Sequence, residues 1–202
     1  MQAALCMCAI LAALPVCAGE RMTVSVCTRG HLDEKLVAGA QVALTDLFQT
    51  MDIEVAWAKC ELGLQGDEAV EQHWYTVRLR DGRPFIPPAL AALDTLGEAF
   101  TSIDQPGYIV EVYYDAVLSV AFAKQIEPRA LLGYVMAHEL AHLMLGPRHS
   151  HQGIMRAAWN SFDLAAMRQG CLRFTPAEAA RLRELLHNSV DRASTPVLNR
   201  LN

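Results

Sequence analysis

A concentrated run of basic side chains is missing from this 202-residue chain. Seventeen Lys and Arg stand against 22 Asp and Glu, which gives a formal net charge of −5. Without a basic patch to neutralise phosphates, nucleic acid is not the expected partner. Internal repeats and low-complexity tracts are also missing, and with 52% apolar and 19% charged residues the composition is that of a globular protein. The length predicts one domain with a sizeable core and is too short for two.

Charged side chains are absent from the first 18 residues, MQAALCMCAILAALPVCA. This segment has the pattern of a secretory signal peptide, and its small residues suit cleavage just after Ala18. The apolar run is shorter than the ~20 residues that a membrane-spanning helix needs. We therefore predict a signal peptide at residues 1–18, a single domain at residues 19–202 with no membrane span, and a secreted or periplasmic location. The stretch LPVC matches a lipoprotein cleavage site only loosely, so a freely exported form and a lipidated form both stay open.

Alternating and helical hydrophobic patterns predict the order of the first elements. The stretches MTVSVC (residues 22–27) and IEVAWA (residues 53–58) favour strands, and apolar residues recur at helical spacing across residues 32–51. A strand–helix–strand unit of this kind makes its two strands parallel. The elements predicted next are strands at residues 74–79 and 108–114 and a short helix at residues 89–99.

The predicted fold class is α/β, often filed as α+β. It combines a small twisted mixed sheet, the crossover helix at residues 32–51, a second helix at residues 128–145 and a C-terminal helical part. An amphipathic pattern at residues 176–189 predicts the last helix, and the tail after residue 191 is expected to be loose.

Cysteine becomes scarce once the signal peptide is removed, because only Cys27, Cys60 and Cys171 remain. An exported protein with three cysteines most simply has one disulfide and one thiol. Cys27 and Cys60 lie at or just past equivalent ends of the first two strands, which are within reach of a bridge if the strands are neighbours. We predict a Cys27–Cys60 disulfide, with a bridge from Cys171 as the alternative.

The helix predicted at residues 128–145 carries a metal-binding pattern. His138 and His142 are four residues apart, so their imidazoles share one helix face and can close on one ion at about 2.0–2.1 Å. Glu139 is offset by about 100° around the axis, so its carboxylate can reach a water on the ion without binding the ion itself. This is the H-E-x-x-H arrangement, in which histidines hold zinc and the glutamate acts as general base.

The same pattern also occurs on surface helices whose histidines face solvent. Here the helix is apolar almost all round, which is typical of a buried helix. Burying two histidines and a glutamate without partners is unfavourable, so a metal site is the better interpretation.

The third ligand has to come from beyond the end of this helix. On a continued helix, residue 149 would lie about 10 Å past His142, too far to share an ion. Gly146-Pro147 is a helix stop, and a glycine there can take the left-handed conformation that turns the chain back and presents His149. His151 is the alternative third ligand, and three downstream carboxylates are a further option: Asp163, Glu178 and Glu184.

The stretch HELAHLMLGPRH followed by GIM resembles the metzincin clan of zinc metallopeptidases. Their motif is H-E-x-x-H-x-x-G-x-x-H with a later methionine turn. The resemblance implies three metal ligands, a general base and a turn methionine, in that order: His138, His142, His149, Glu139 and Met155. The mature chain is also similar to short exported bacterial proteins in which H-E-x-x-H is followed by H-S-x-x-G-I-M.

These features predict an exported zinc metalloendopeptidase that holds one Zn²⁺ per chain and hydrolyses peptide bonds with a metal-activated water. A peptide or protein substrate is expected to lie extended along an edge strand that includes residues 108–114. The alternative is a zinc-holding module that binds a peptide or partner without cleaving it, since everything but Glu139 would serve that role. A structural zinc normally closes with four protein ligands, which argues against that class of site. The oligomeric state is left open.

Overall fold

The structure, a computed structural model, describes residues 19–30, 32–60, 74–81, 96–100 and 108–194. The predicted signal peptide at residues 1–18 lies outside the described residues, as does most of the helix predicted at residues 89–99. Within the described ranges, no helix combines the length and the apolar character that crossing a bilayer requires.

Five strands and five helices make up the described part of the chain. The strands are β1 (Glu20–Arg29), β2 (Ile53–Ala58), β3 (Trp74–Arg80), β4 (Gly97–Phe100) and β5 (Ile109–Tyr113). The helices are α1 (Glu34–Gln49), α2 (Tyr114–Lys124), α3 (Pro128–Leu145), α4 (Ser161–Arg168) and α5 (Pro176–Ser194).

The strands form one mixed sheet in the order β2-β1-β3-β5-β4. All neighbours pair in parallel except β4, which runs antiparallel to β5. The predicted mixed α/β fold is confirmed, and so is the parallel β1–α1–β2 unit. The prediction that β5 forms a sheet edge is wrong, because β5 is paired on both sides and β4 is the edge strand on its side of the described sheet.

Helices α1 and α3 pack against each other and against the sheet. Asp33 caps α1 by accepting hydrogen bonds from the backbone N–H groups of Lys35 and Leu36. The two helices approach closely at Gly133 of α3, where a Cβ atom would lie 2.7 Å from Cβ of Ala43. A small residue at this position therefore lets α3 sit deep in the fold.

Besides helix α4, for which no element was predicted, the described elements differ from the predicted ones in three places. Residues 97–99, predicted as the end of a helix, belong to strand β4. The predicted strand at residues 108–114 ends at Tyr113, and α2 begins at the next residue without an intervening loop. The tail expected after residue 191 begins later, because α5 continues to Ser194.

The disulfide between Cys27 and Cys60 is present, with the two Cα atoms 5.0 Å apart. It joins the chain just past the paired ends of β1 and β2, where Ser25 lies opposite Ala58 in the register. Cys171 is a free, exposed thiol. The predicted pairing is confirmed.

Candidate metal centre

Helix α3 brings the H-E-x-x-H residues into the interior of the fold. It begins at Pro128. Proline lacks an N–H, but a residue in the first helical turn has no helical acceptor for one, so nothing is lost there. The side chain of Glu127 accepts a hydrogen bond from the N–H of Ala130. Every residue from 131 to 143 is buried. His138, Glu139 and His142 are only 6–8% exposed, so their environment is set by protein contacts and not by bulk water.

The three predicted ligands converge on one point. Nε2 of His142 lies 3.0 Å from Nε2 of His138 and 3.2 Å from Nε2 of His149. One ring nitrogen from each histidine lies within 4.8 Å of the others. The rings of His138 and His142 meet edge to face, as do those of His142 and His149.

Backbone carbonyls determine which nitrogen of the two helical histidines carries the proton. Nδ1 of His138 lies 2.8 Å from the carbonyl oxygen of Ile154, and Nδ1 of His142 lies 2.8 Å from that of Gly146. Since a carbonyl only accepts, each Nδ1 is the N–H donor. Each Nε2 is therefore left with a free lone pair, and these lone pairs face each other.

A cation fits this donor set. Burial lowers the pKa of His138 to about 4 and also lowers the pKa of His142, so both rings are neutral at pH 7. Neutral lone pairs 3 Å apart repel each other unless a cation lies between them. Three nitrogens bound to a tetrahedral zinc at about 2.0–2.1 Å are about 3.3 Å apart, close to the separations found here.

Gly146 turns the chain after α3 and allows His149 to return. Its φ of 85° is positive, as predicted, but its ψ of −174° lies outside the left-handed helical region. Only glycine adopts this conformation readily. Its N–H still donates to the carbonyl of His142, so the turn starts from the last hydrogen bond of the helix.

The loop at residues 147–156 is then fixed by backbone contacts. The N–H of Ser150 donates to the carbonyl of Met155, and the N–H of Ile154 donates to the carbonyl of Arg173. Gly153 has φ of 75°, and a Cβ there would lie 2.6 Å from the Arg173 carbonyl oxygen. The GIM stretch is therefore pressed against residue 173, with Met155 only 1% exposed.

Glu139 lies beside the edge strand β4. A Cβ at Gly97 would lie 2.8 Å from Cγ of Glu139, so only glycine leaves room for this side chain. Burial raises the pKa of Glu139 to about 8, and the Glu98 carboxylate adds to the rise. Within the described part of the chain the Glu139 carboxylate has no hydrogen-bond or ion-pair partner. It is therefore available to a water or a substrate.

The alternative ligands lie elsewhere. His151 is exposed and does not belong to the converging group. The three candidate carboxylates are engaged with other partners: Asp163 with Arg156, Glu178 with Ser150 and Thr175, and Glu184 with Arg181. Among the described residues, the only cluster suited to a metal is His138, His142 and His149.

Trp159 forms a wall of the centre. Its ring meets that of His138 edge to face with centroids 5.8 Å apart. Its Nε1–H donates to the carbonyl of Ile154, the oxygen that also accepts from His138. One backbone carbonyl therefore orients both rings.

Two features of the centre were not predicted from the sequence. The approach of Gly97 to Glu139 joins distant parts of the chain and leaves no local signal. The contact between Ser150 and Glu178 could have been suspected, because Thr175-Pro-Ala-Glu178 has the spacing of a capping box at the start of α5. That motif indicates a carboxylate held at a helix N-terminus, although it does not reveal which loop lies beside it.

Comparison with known proteins supports the fold. No protein-family model matches the chain, and no curated protein matches it in sequence. In three dimensions it is similar to the crystal structure of archaemetzincin from Methanopyrus kandleri, with a TM-score of 0.50 and 14% sequence identity. The similarity covers 89% of this chain and 99% of that chain. The predicted mixed α/β architecture is thus confirmed, and its fold is similar to that of archaemetzincin.

Proposed function

We propose that this chain is a zinc metallopeptidase that hydrolyses peptide bonds, with one Zn²⁺ per chain held by His138, His142 and His149. The observation that carries the proposal is the convergence of three Nε2 atoms, two of which belong to rings whose Nδ1 protons are held by backbone carbonyls. A buried set of lone pairs needs a cation, and three imidazoles without a fourth protein ligand are typical of catalytic zinc. The zincin-like fold is consistent with this class.

Bound zinc would polarise the scissile carbonyl and lower the pKa of a water to about 7. Glu139 is the proposed general base: its carboxylate takes a proton from the attacking water and returns it to the leaving amine. Burial raises the pKa of Glu139 to about 8 in the chain without metal, and the charge of a bound zinc would favour the ionised carboxylate that a general base needs. Gly97 leaves room for its side chain beside β4.

The proposed substrate is an extended peptide that pairs with the outer edge of β4. An unpaired strand edge offers N–H and C=O groups to a peptide as an added strand. β4 is the edge strand next to Glu139, so a peptide lying there would carry its backbone past the general base. This assignment replaces β5, whose two sides are both paired.

An exported location is part of the proposal. The Cys27–Cys60 disulfide is suited to an oxidising compartment, because disulfides rarely persist in the cytosol. Export also fits the apolar N-terminal segment, MQAALCMCAILAALPVCA.

The substitution Glu139→Gln tests the catalytic role. Gln has nearly the same shape but cannot take the proton of the water, so hydrolysis of a peptide library should fall by roughly 10²–10⁴-fold. Zinc content should stay near one per chain, because Glu139 is not one of the converging ligands. Mass spectrometry of the library products and metal analysis of the same samples provide the two measurements.

Two other results would contradict the enzyme assignment. Slow cleavage that survives Glu139→Gln unchanged would mean another mechanism or a contaminant. A wild type that binds zinc but cleaves no member of a broad library, and whose retained peptides are the same in the mutant, would indicate the non-catalytic zinc-holding module.

A further inference from the structure

His149 differs from the other two candidate ligands in how it is held. His138 and His142 lie on a buried helix, and their Nδ1 atoms bond to backbone carbonyls. His149 is exposed, and among the described residues its ring has polar and ring-to-ring contacts only with the other two histidines. Its position must therefore come from the backbone that carries it.

The next residue, Ser150, ties that backbone down at two points. Its N–H donates to the carbonyl of Met155 over 2.8 Å. Its Oγ–H donates to Oε1 of Glu178, a residue in the first turn of α5. Apart from the approach of His149 to His142, the second contact is the only side-chain hydrogen bond from residues 147–153 to another element within the described ranges.

Glu178 is itself rigidly placed. Its second oxygen, Oε2, accepts from the backbone N–H of Thr175 over 2.7 Å, a bond that does not depend on the Thr175 side chain. The Oγ1 of Thr175 instead caps α5, 3.3 Å from the backbone N–H of Glu178. The helix behind it is anchored, because Leu182 and Leu186 are 0% and 1% exposed. A carboxylate at a helix N-terminus is also favoured by the helix dipole. One carboxylate thus joins the loop next to His149 to a fixed point of the core.

We propose that Glu178 is a positioning residue for the third histidine, acting through the Ser150 hydroxyl to hold His149 where its Nε2 meets those of His138 and His142. The proposal rests on the proposed metal centre. Residues that orient ligands in this way typically change metal affinity by about 10–100-fold when they are replaced. Glu178, which the sequence offered as a rival ligand, would then serve the same ion indirectly.

The test is zinc affinity in the full chain, measured by competition with a chromogenic chelator, alongside the melting temperature of the metal-free protein. Ser150→Ala removes the hydroxyl and leaves the cap of α5 intact, so it should weaken zinc binding by about 10–100-fold. Ser150→Thr restores a hydroxyl and should restore most of the affinity. Thr175→Ala is the matched control: it removes the cap but keeps the Ser150–Glu178 contact, so it should lower the melting temperature by about 2–4 °C without changing zinc affinity.

The outcomes separate this inference from the proposed function. If the wild type binds one zinc and Ser150→Ala binds it equally tightly, the positioning role is wrong while the metal centre stands. If Thr175→Ala weakens zinc binding as much as Ser150→Ala, the effect is general destabilisation, and the role is again wrong. Should Ser150→Ala fail to fold, Glu178→Ala takes its place, and a loss of affinity beyond that of Thr175→Ala is required. A wild type that binds no zinc would overturn the metal centre itself.

Discussion

At the scale of single residues, the centre depends on backbone carbonyls as much as on the histidines themselves. The carbonyl oxygen of Gly146 accepts a hydrogen bond from the Nδ1–H of His142, which lies four residues earlier in the chain. The carbonyl oxygen of Ile154 accepts hydrogen bonds from the Nδ1–H of His138 and the Nε1–H of Trp159. These bonds fix the tautomers that direct both Nε2 atoms inward, so the protein itself orients the two rings toward the proposed metal position.

Replacing the third ligand tests the assignment at this scale. His149→Ala removes one of the three converging nitrogens, so zinc content should fall well below one per chain because two imidazoles remain. His151→Ala is the matched control, since this exposed histidine lies outside the group, and its zinc content should stay near one per chain. Metal analysis of dialysed protein decides, and the reverse pattern would transfer the ligand role to His151.

The side chains of the centre were more predictable than their partners. The spacing of four residues between His138 and His142 is a property of any helix, so their convergence follows from the sequence. The partner of His138 comes from a loop whose path depends on contacts with Arg173. A sequence pattern carries no information on such a contact, and the role of the Ile154 carbonyl could not be predicted.

At the scale of elements, the end of α3 determines whether His149 can reach His138 and His142. The end of the helix at Gly146-Pro147 could be predicted from the sequence, because glycine permits a positive φ and proline cannot continue a helix. The full conformation could not be predicted, since ψ of −174° accompanies the return of the loop toward His138 and His142 and is not set by glycine alone. Residues such as glycine and proline therefore indicate the position of a turn more reliably than its backbone conformation.

Substituting Gly146 measures what this turn contributes. An alanine Cβ would meet nothing within 4 Å, so the effect of Gly146→Ala comes from backbone conformation alone. A conformation that only glycine adopts readily should cost about 1–3 kcal/mol of unfolding free energy. Because the strain can be relieved by moving His149, zinc affinity should fall as well.

Gly170→Ala is the control for that measurement. Gly170 also has a positive φ, 64°, and open space around a Cβ, but it lies after α4 and away from the histidines. Its replacement should cost roughly 1–2 kcal/mol and leave zinc affinity unchanged. Urea denaturation and chelator competition measure the two quantities. Equal zinc affinities for both variants would mean that Gly146 matters only for stability.

Strand β4 shows where pattern-based prediction fails. Its four residues, GEAF, are too few to display an alternation, and the preceding residues have helical spacing. The strand exists because it pairs with β5, the next strand along the chain, and because Gly97 can approach Glu139 on a helix further along, and a four-residue pattern signals neither contact. The boundary between β5 and α2 was missed for another reason: no glycine or proline marks it.

At the scale of the whole molecule, the fold buries an acidic side chain, Glu139, and a basic one, His138, in the same region. The α/β class and the crossover unit were predictable from periodicity, but the strand order β2-β1-β3-β5-β4 was not. That order brings the edge strand next to α3, which places the Glu139 carboxylate and the His138 ring in the same buried region. In the chain without metal, burial then shifts the two pKa values in opposite directions, raising that of Glu139 and lowering that of His138.

The pH dependence of stability of the metal-free protein should report both groups. Burial lowers the pKa of His138 to about 4 from 6.5, so between these values the unfolded chain binds a proton that the folded chain does not. Its contribution to stability is lost as pH falls through that window. Burial raises the pKa of Glu139 from 4.5 to about 8, so between those values the folded chain binds the extra proton. Its contribution is lost as pH rises.

The two effects oppose each other between pH 4.5 and 6.5, where His142, whose pKa burial also lowers, acts in the same direction as His138; above 6.5, of these three groups only the carboxyl still contributes. Metal-free wild type should therefore lose stability, by about 1–2 kcal/mol, as pH rises from 6.5 to 8. Glu139→Gln does not titrate, so its stability should be flat across that range and should still fall as pH drops toward 4. Urea midpoints measured in the presence of a chelator give both curves. A wild type as stable at pH 8 as at pH 6.5 would mean that Glu139 is ionised in the folded, metal-free protein, and that burial does not make it an unusually strong base.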